Sequence, residues 1–283
     1  MKAFIAAGIG DMMCLDSLLK DEEKQSITEI YWACRFGKDM IPLFENNPYY
    51  PNLKQQHTIE DSVGKEAMKL FEPWSVSFWH FRPDFRPNFL KGLELFGLKE
   101  DEVTAYNLLG PPDGLFLRIP PVFETSSILK AADTSDVDWD GLNIKPHEYI
   151  LVHLPTSSRP RRDAFAMGDE DVKFLRELSD KTGFPVVAVT DYDPDQSMSD
   201  FIILNRPDIA TIPALVKYSA YCGGCDSFIS ILGCKMHQPD KLFVKTAYPP
   251  NNIFTNPYLQ HLFGPHDAGV IRSFYDSKFV VAI

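Results

Sequence analysis

The sequence predicts an α/β protein made of two Rossmann-like domains facing a central cleft, and three observations carry that expectation. Short apolar runs alternate with helical stretches in both halves of the chain, the pattern of β-α-β units. The first run, Lys2-Ala3-Phe4-Ile5-Ala6-Ala7, ends in Gly8-Ile9-Gly10-Asp11, which reads as a buried strand turning sharply into a helix from near Met12. The alternation breaks over residues 110–147, rich in Gly, Pro and Asp, and restarts at Glu148. The expected division is therefore 1–140 and 141–283, with the tail from Pro265 free to return to the first domain.

The elements follow in order. Residues 28–34 read as a second strand, Gly37 to Glu45 as a helix, 49–52 as a turn and 53–59 as a third strand. The segment from Trp74 to Leu90 collects Trp74, Phe78, Trp79, Phe81, Phe85 and Phe89 around His80, Arg82 and Arg86, with prolines at 83 and 87. It reads either as an irregular aromatic cluster filling core beneath a loop, or as an acceptor surface on which rings stack and arginines hold polar groups. In the second half, 149–153 reads as a strand, and Asp169 to Thr182 as a helix with Val172, Leu175 and Leu178 on its apolar face. A strand over 184–190 follows, then a helix over 212–220, a short turn-like strand end at 221–225, a helix from Ser227 and a last strand at 242–244.

Composition narrows the function classes. The 283 residues are 45% hydrophobic and 24% charged, the profile of a globular chain with a real core. A net charge of −11 argues against broad nucleic-acid binding. Five cysteines (14, 34, 222, 225 and 234) form an odd, sparse set that suits a reducing compartment better than a disulfide framework. Asp11 interrupts the opening apolar run before a secretory segment is complete, and no stretch is long and apolar enough to span a membrane, so a cytoplasmic location is expected.

The opening turn carries the first chemistry. A dinucleotide-binding turn continues to a third glycine, but here Asp11 follows Gly10 and Met13-Cys14 stand where that glycine would come. A carboxylate there repels a pyrophosphate and suits removal of a proton from a neutral substrate. The competing reading makes Asp11 the helix N-cap.

In the second half, Thr156-Ser157-Ser158-Arg159-Pro160-Arg161-Arg162 follows a strand and offers hydroxyls, amides and guanidinium groups to a diphosphate. A solvated basic turn is the alternative. Gly223-Gly224-Cys225-Asp226-Ser227 precedes a helix whose first amides can meet a phosphate. Asp191 and Asp193, after the strand 184–190, read as metal ligands, as partners of nucleoside hydroxyls or as an Asp-Pro turn. Cys222 and Cys225 have half of a zinc spacing, with Cys234 and His237 nearby but no matching second pair.

The opening strand with Gly8-Ile9-Gly10-Asp11, paired with the late Gly224-Cys225-Asp226-Ser227, resembles the heptosyltransferases of lipopolysaccharide synthesis. The resemblance implies a GT-B type glycosyltransferase with Asp11 as catalytic base. It implies that Ser157, Ser158 and Arg162, the last in place of a lysine, hold the donor diphosphate together with Asp226 and Ser227, and that Asp191 or Asp193 meets the nucleoside. Phe228 stands where the family has glycine, and Ile231 where it has histidine.

The resulting expectation is transfer of a sugar from a nucleotide-diphosphate sugar to an acceptor hydroxyl, with inversion and without a resident metal or cofactor. Asp11 is the base, with Gly10, Ser157, Ser158, Arg159, Arg162, Asp191, Asp193, Gly224, Asp226 and Ser227 on the donor. Trp79, Arg82 and Arg86 are on the acceptor, a saccharide in preference to a modified DNA base. The alternatives are a metal-dependent transferase using Asp191 and Asp193, and a non-catalytic nucleotide-binding protein of the same fold.

Overall fold

The computed structural model describes residues 1–5, 9–34, 36–64, 86–106, 126–154, 169–190, 198–225, 228–237, 241–246 and 271–273. The chain forms two compact units, Met1–Ala131 and Ala132–Ile283.

The first unit is built on a parallel sheet of β1 (Lys2–Ile5), β2 (Glu29–Trp32), β3 (Gln55–Thr58) and β4 (Thr104–Tyr106), in the order β3-β2-β1-β4. Phe4 pairs with Tyr31, and Ile5 pairs with Trp32 on one side and Tyr106 on the other. Ala3, Phe4 and Ile5 are all buried, as a parallel strand covered on both faces requires. Around the sheet lie α1 (Ile9–Leu18), α2 (Asp21–Ser26), α3 (Gly37–Phe44), α4 (Ile59–Val63), α5 (Arg86–Leu95) and α6 (Ser127–Ala131). The start of α3 presses on the sheet so closely that a Cβ on Gly37 would lie 2.8 Å from the Trp32 Cβ. The start of α4 is capped by Thr58, whose hydroxyl accepts from the Asp61 amide at 3.3 Å.

Two expectations are corrected in this unit. The first helix begins at Ile9, ahead of Met12, so Asp11 occupies the third helical position instead of the N-cap. The aromatic segment does not stay irregular to its end, because α5 begins at Arg86. Phe89 on that helix is buried and meets Phe4 edge to face, with centroids 5.5 Å apart, so it fills core instead of lining a surface. In the second unit, which begins at Ala132, the acidic stretch forms capped turns. Asp133 accepts from the Ser135 amide and Asp138 from the Gly141 amide, capping a 3-10 turn (Thr134–Asp136) and α7 (Trp139–Leu142).

The second unit holds a six-stranded parallel sheet of β5 (Ile150–His153), β6 (Val186–Thr190), β7 (Ile202–Asn205), β8 (Tyr221–Cys225), β9 (Leu242–Thr246) and β10 (Ile271–Ser273). Its order is β10-β9-β8-β5-β6-β7, the doubly wound order of dinucleotide-binding folds. The helices are α8 (Asp169–Thr182), α9 (Ile212–Lys217) and α10 (Phe228–Met236). Ile150, Val152 and Leu154 alternate onto one face of the sheet and pack against Val172, Leu175 and Leu178 of α8. The Lys217 ammonium donates to the Ala132 carbonyl at 2.5 Å, which fastens the first residue of this unit to its body.

Here the strand expected to be last, at 242–244, is followed by β10, and β7 was not anticipated. Residues 221–225 are no turn-like strand end: β8 pairs with β5 and β9 and sits inside the sheet. No described helix is long and apolar enough to cross a membrane.

Candidate functional site

A doubly wound sheet binds ligands where its strand order reverses, at the carboxyl ends of the two strands flanking the reversal. In the second unit those strands are β5 and β8, whose ends meet as the pair His153 and Gly224. Backbone packing is tight at this point. Gly224 has φ +125°, and a Cβ there would lie 2.7 Å from the His153 nitrogen. A Cβ on Gly223 would lie 2.5 Å from a ring carbon of Phe243 on β9. The two glycines therefore let three strands close up side by side. On α10, a Cβ on Gly233 would meet the Cys222 Sγ at 2.9 Å, so the helix lies hard against β8.

α10 follows β8 in the chain, and its first turn carries no acidic residue. α8 opens Asp169-Glu170-Asp171, with Asp171 buried. Acidic residues in a first turn offset the positive end of a helix, and the first turn of α10 carries none.

The predicted donor residues relate to these strand ends as follows. Gly224 ends at the reversal. Ser157, Ser158, Arg159 and Arg162 belong to the segment that leaves β5, Asp226 and Ser227 to the one that leaves β8, and Asp191 and Asp193 to the one that leaves β6. Those eight lie outside the described residues. His153, at the very end of β5 and only 6% exposed, was passed over in the sequence because a lone histidine carries no spacing signal.

In the first unit the order reverses between β1 and β4. The first turn of α1, with Gly10 and the backbone of Asp11, lies just past the carboxyl end of β1. Trp79 and Arg82 lie outside the described residues, and the backbone of Arg86 opens α5. Met12, Met13 and Leu15 are fully buried and seat α1 on the sheet.

The same helix carries a group that sequence reading missed. Asp16 is fully buried and receives the Tyr50 hydroxyl at 2.6 Å, the Ser127 hydroxyl at 2.5 Å, the Ser126 hydroxyl and the Ile128 amide at 3.3 Å. The Lys24 ammonium, itself buried, stands 3.3 Å away. Burial alone would raise the carboxyl pKa, but the Lys24 charge and the hydroxyls of Ser126, Ser127 and Tyr50 outweigh it and hold the group below its ordinary value. The missed signal was an Asp and a Lys in the last turns of two short helices, with one partner 34 residues from Asp16 and two others 110 and 111 residues away.

Other titratable groups are fixed by structure. His237 bonds the Ser219 hydroxyl at 3.1 Å and the Val216 carbonyl at 2.9 Å, and burial pushes its pKa down. Cys222 is buried, with its Sγ directed at the Ile229 carbonyl. Among the described residues no group of three or more His, Cys, Asp or Glu is arranged to hold a metal.

No protein-family model matches the chain, and no curated protein does. Among solved structures, the ADP-heptose lps heptosyltransferase II of E. coli aligns over 96% of this chain and 90% of its own, with TM-score 0.51 and 12% identity. The glycosyl transferase family 9 protein from Veillonella parvula DSM 2008 aligns over 96% and 86%, with TM-score 0.50 and 12% identity. At such identity the likeness establishes architecture, and that architecture is the α/β, two-Rossmann, GT-B type build of heptosyltransferase-like glycosyltransferases.

Proposed function

We propose that this chain is a glycosyltransferase that moves a sugar from a nucleotide-diphosphate sugar to an acceptor hydroxyl with inversion. The observation that carries the reading is the pair of switch points. One places an α-helix bearing Gly10 and Asp11 at the carboxyl edge of the first sheet. The other gathers the origins of the three donor segments around the paired ends His153 and Gly224.

In this reading the nucleoside diphosphate binds the second unit. Its phosphates meet the amides opening α10 and the side chains of Ser157, Ser158, Arg159, Arg162 and Ser227, with Asp226 shaping that turn. Asp191 and Asp193 hold the nucleoside. The acceptor binds the first unit against Trp79, Arg82 and Arg86. Its hydroxyl oxygen attacks the anomeric carbon, the bond from that carbon to the diphosphate oxygen breaks, and Asp11 takes the hydroxyl proton. The electron pair leaves with the diphosphate, where guanidinium groups and helix amides neutralise it without a resident metal or cofactor. A neutral saccharide is the acceptor we favour, and the reaction belongs in the cytoplasm, where nucleotide sugars are made.

The test begins with binding. Thermal shifts are read with nucleoside diphosphates and nucleotide sugars, with and without EDTA, followed by nucleoside-diphosphate release in the presence of saccharide acceptors. A ligand at a hundred times its Kd stabilises by about 2.7 kcal/mol, a readily seen shift. Stabilisation by a nucleotide sugar that survives EDTA, followed by release, is expected. Release abolished by EDTA and restored by a divalent ion would instead favour Asp191 and Asp193 as metal ligands. Binding without release to any acceptor would mark a non-catalytic nucleotide-binding protein.

A further inference from the structure

The cluster around Asp16 does more than fill space, and its members come from four separate places. Asp16 lies on α1, Lys24 on α2, Tyr50 in the turn after α3, and Ser126, Ser127 and Ile128 at the start of α6. Every one of these side chains is buried. A buried ion pair is weak evidence for stability, because a well-packed apolar set of the same volume is often at least as stable. What such a pair does secure is one arrangement of the elements that carry it: five donors converging on two carboxylate oxygens leave little freedom of rotation or slip.

The arrangement secured here joins two elements of different standing in the proposed reaction. One is α1, whose first turn carries Asp11, five residues and about 7.5 Å along the axis from Asp16. The other is the stretch Ser126–Ala131, by which the chain leaves the first unit. A rotation of α1 by about 10° would carry an atom about 6 Å from its axis through about 1 Å, and a misplacement of that size can cost up to about 10²-fold in rate.

Resting on the proposed glycosyl transfer, we propose that Asp16 is a positioning residue: it ties the helix bearing Asp11 to Ser126 and Ser127, and so fixes where Asp11 stands for the reaction. Asp16 itself touches no substrate and takes no proton in the transfer.

The experiment removes the tie while leaving the ion pair. The Ser126→Ala/Ser127→Ala protein keeps Asp16, Lys24 and Tyr50. Leu93→Ala, in the apolar core of the same unit beside Phe4 and Phe89, serves as a control for general loosening. All proteins are assayed at a temperature where circular dichroism shows them fully folded. The double variant is expected to lose at least tenfold in kcat with KM for the nucleotide sugar within twofold, whereas Leu93→Ala stays within threefold in kcat. In hydrogen–deuterium exchange on the free protein, α1 and residues 126–131 should both exchange faster in the double variant. If that protein does not fold, Ser127→Ala alone is read in the same way, with a smaller but parallel change in both segments.

A kcat within threefold of the native value, or faster exchange confined to 126–131 with α1 unchanged, overturns the proposal. A native chain that turns over no nucleotide sugar would defeat the glycosyltransferase reading, and with it the role toward Asp11. The exchange measurement would then still decide whether Asp16 couples the two segments.

Discussion

Replacing Gly224 with alanine tests the switch point of the second unit most directly, because two separate costs are visible there. The backbone stands at φ +125°, a region that side chains avoid. Holding a non-glycine residue in such a region costs about 1–3 kcal/mol. The added methyl would also face the nitrogen and carbonyl carbon of His153 at 2.7 and 3.0 Å. These are backbone atoms paired in the sheet, so relief comes only by parting β5 from β8, an overpacking cost of about 1–3 kcal/mol. Together Gly224→Ala should cost about 2–6 kcal/mol, a large share of the usual 5–15 kcal/mol.

Gly183→Ala is the matched comparison. It too has positive φ, +74°, but a Cβ there meets nothing within 4 Å. Only backbone strain remains, about 1–2 kcal/mol. Thermal unfolding by circular dichroism should show Gly224→Ala melting well below Gly183→Ala, at about 2–4 °C for each kcal/mol of difference. Calorimetric affinity for a nucleoside diphosphate should fall in Gly224→Ala and hold in Gly183→Ala. Equal melting temperatures for the two variants would refute the claim that close strand packing, and not local flexibility, is why glycine stands at 224.

Asp11→Asn should leave nucleotide-sugar affinity almost unchanged while transfer falls by about 10²–10⁴-fold, the usual worth of a positioned base; near-native turnover in a folded variant would remove Asp11 from the chemistry. Arg162→Ala should weaken binding of a nucleoside diphosphate by about 1.5–3 kcal/mol, the range for a charge-assisted hydrogen bond, and unchanged affinity in calorimetry would exclude that contact. The third expectation concerns acid. The Asp16 carboxyl is held below its ordinary 3.8, so its stabilisation is complete above the unfolded-state value and disappears as pH falls through the lower folded value. Glu29, Asp61 and Asp200 act in the same direction. Urea midpoints should therefore drop below about pH 4, and Asp16→Asn, less stable at neutral pH, should show a flatter drop. An identical pH profile in the variant would count against an ionised Asp16.

The architecture was legible because parallel strands buried on both faces are written as short apolar runs. Phe4-Ile5, Ile150–Val152 and Val186–Val189 each announced themselves, and the helix over Asp169–Thr182 showed its apolar spacing plainly. What escaped notice lacked such a pattern. β4 is three residues long, and β7 carries no fully buried side chain, so neither stands out from its surroundings. The Asp16 cluster was hidden for a different reason: its pieces are ordinary polar residues whose meaning depends on contacts 34, 110 and 111 residues away. Gly224 was noticed, but its steric reason lies in the neighbouring strands and not in its own segment. Asp11 could be picked out from its place after Gly10, whereas Asp16, further along the same helix, could not.

That wide separation also shapes how the chain is made. Asp16 and Lys24 leave the ribosome early, but the serines that complete the carboxylate's shell lie 110 and 111 residues after Asp16. At about 5–20 residues per second, about 5–20 s pass before they emerge. Through that interval a nascent first unit holds a charged pair that it can either leave in water or bury with fewer donors than the finished protein supplies. The last turns of α1 are thus set to be among the final parts of the first unit to become fixed. A fragment cut just before Ser126 would retain all four strands of its sheet yet stay in that unfinished condition.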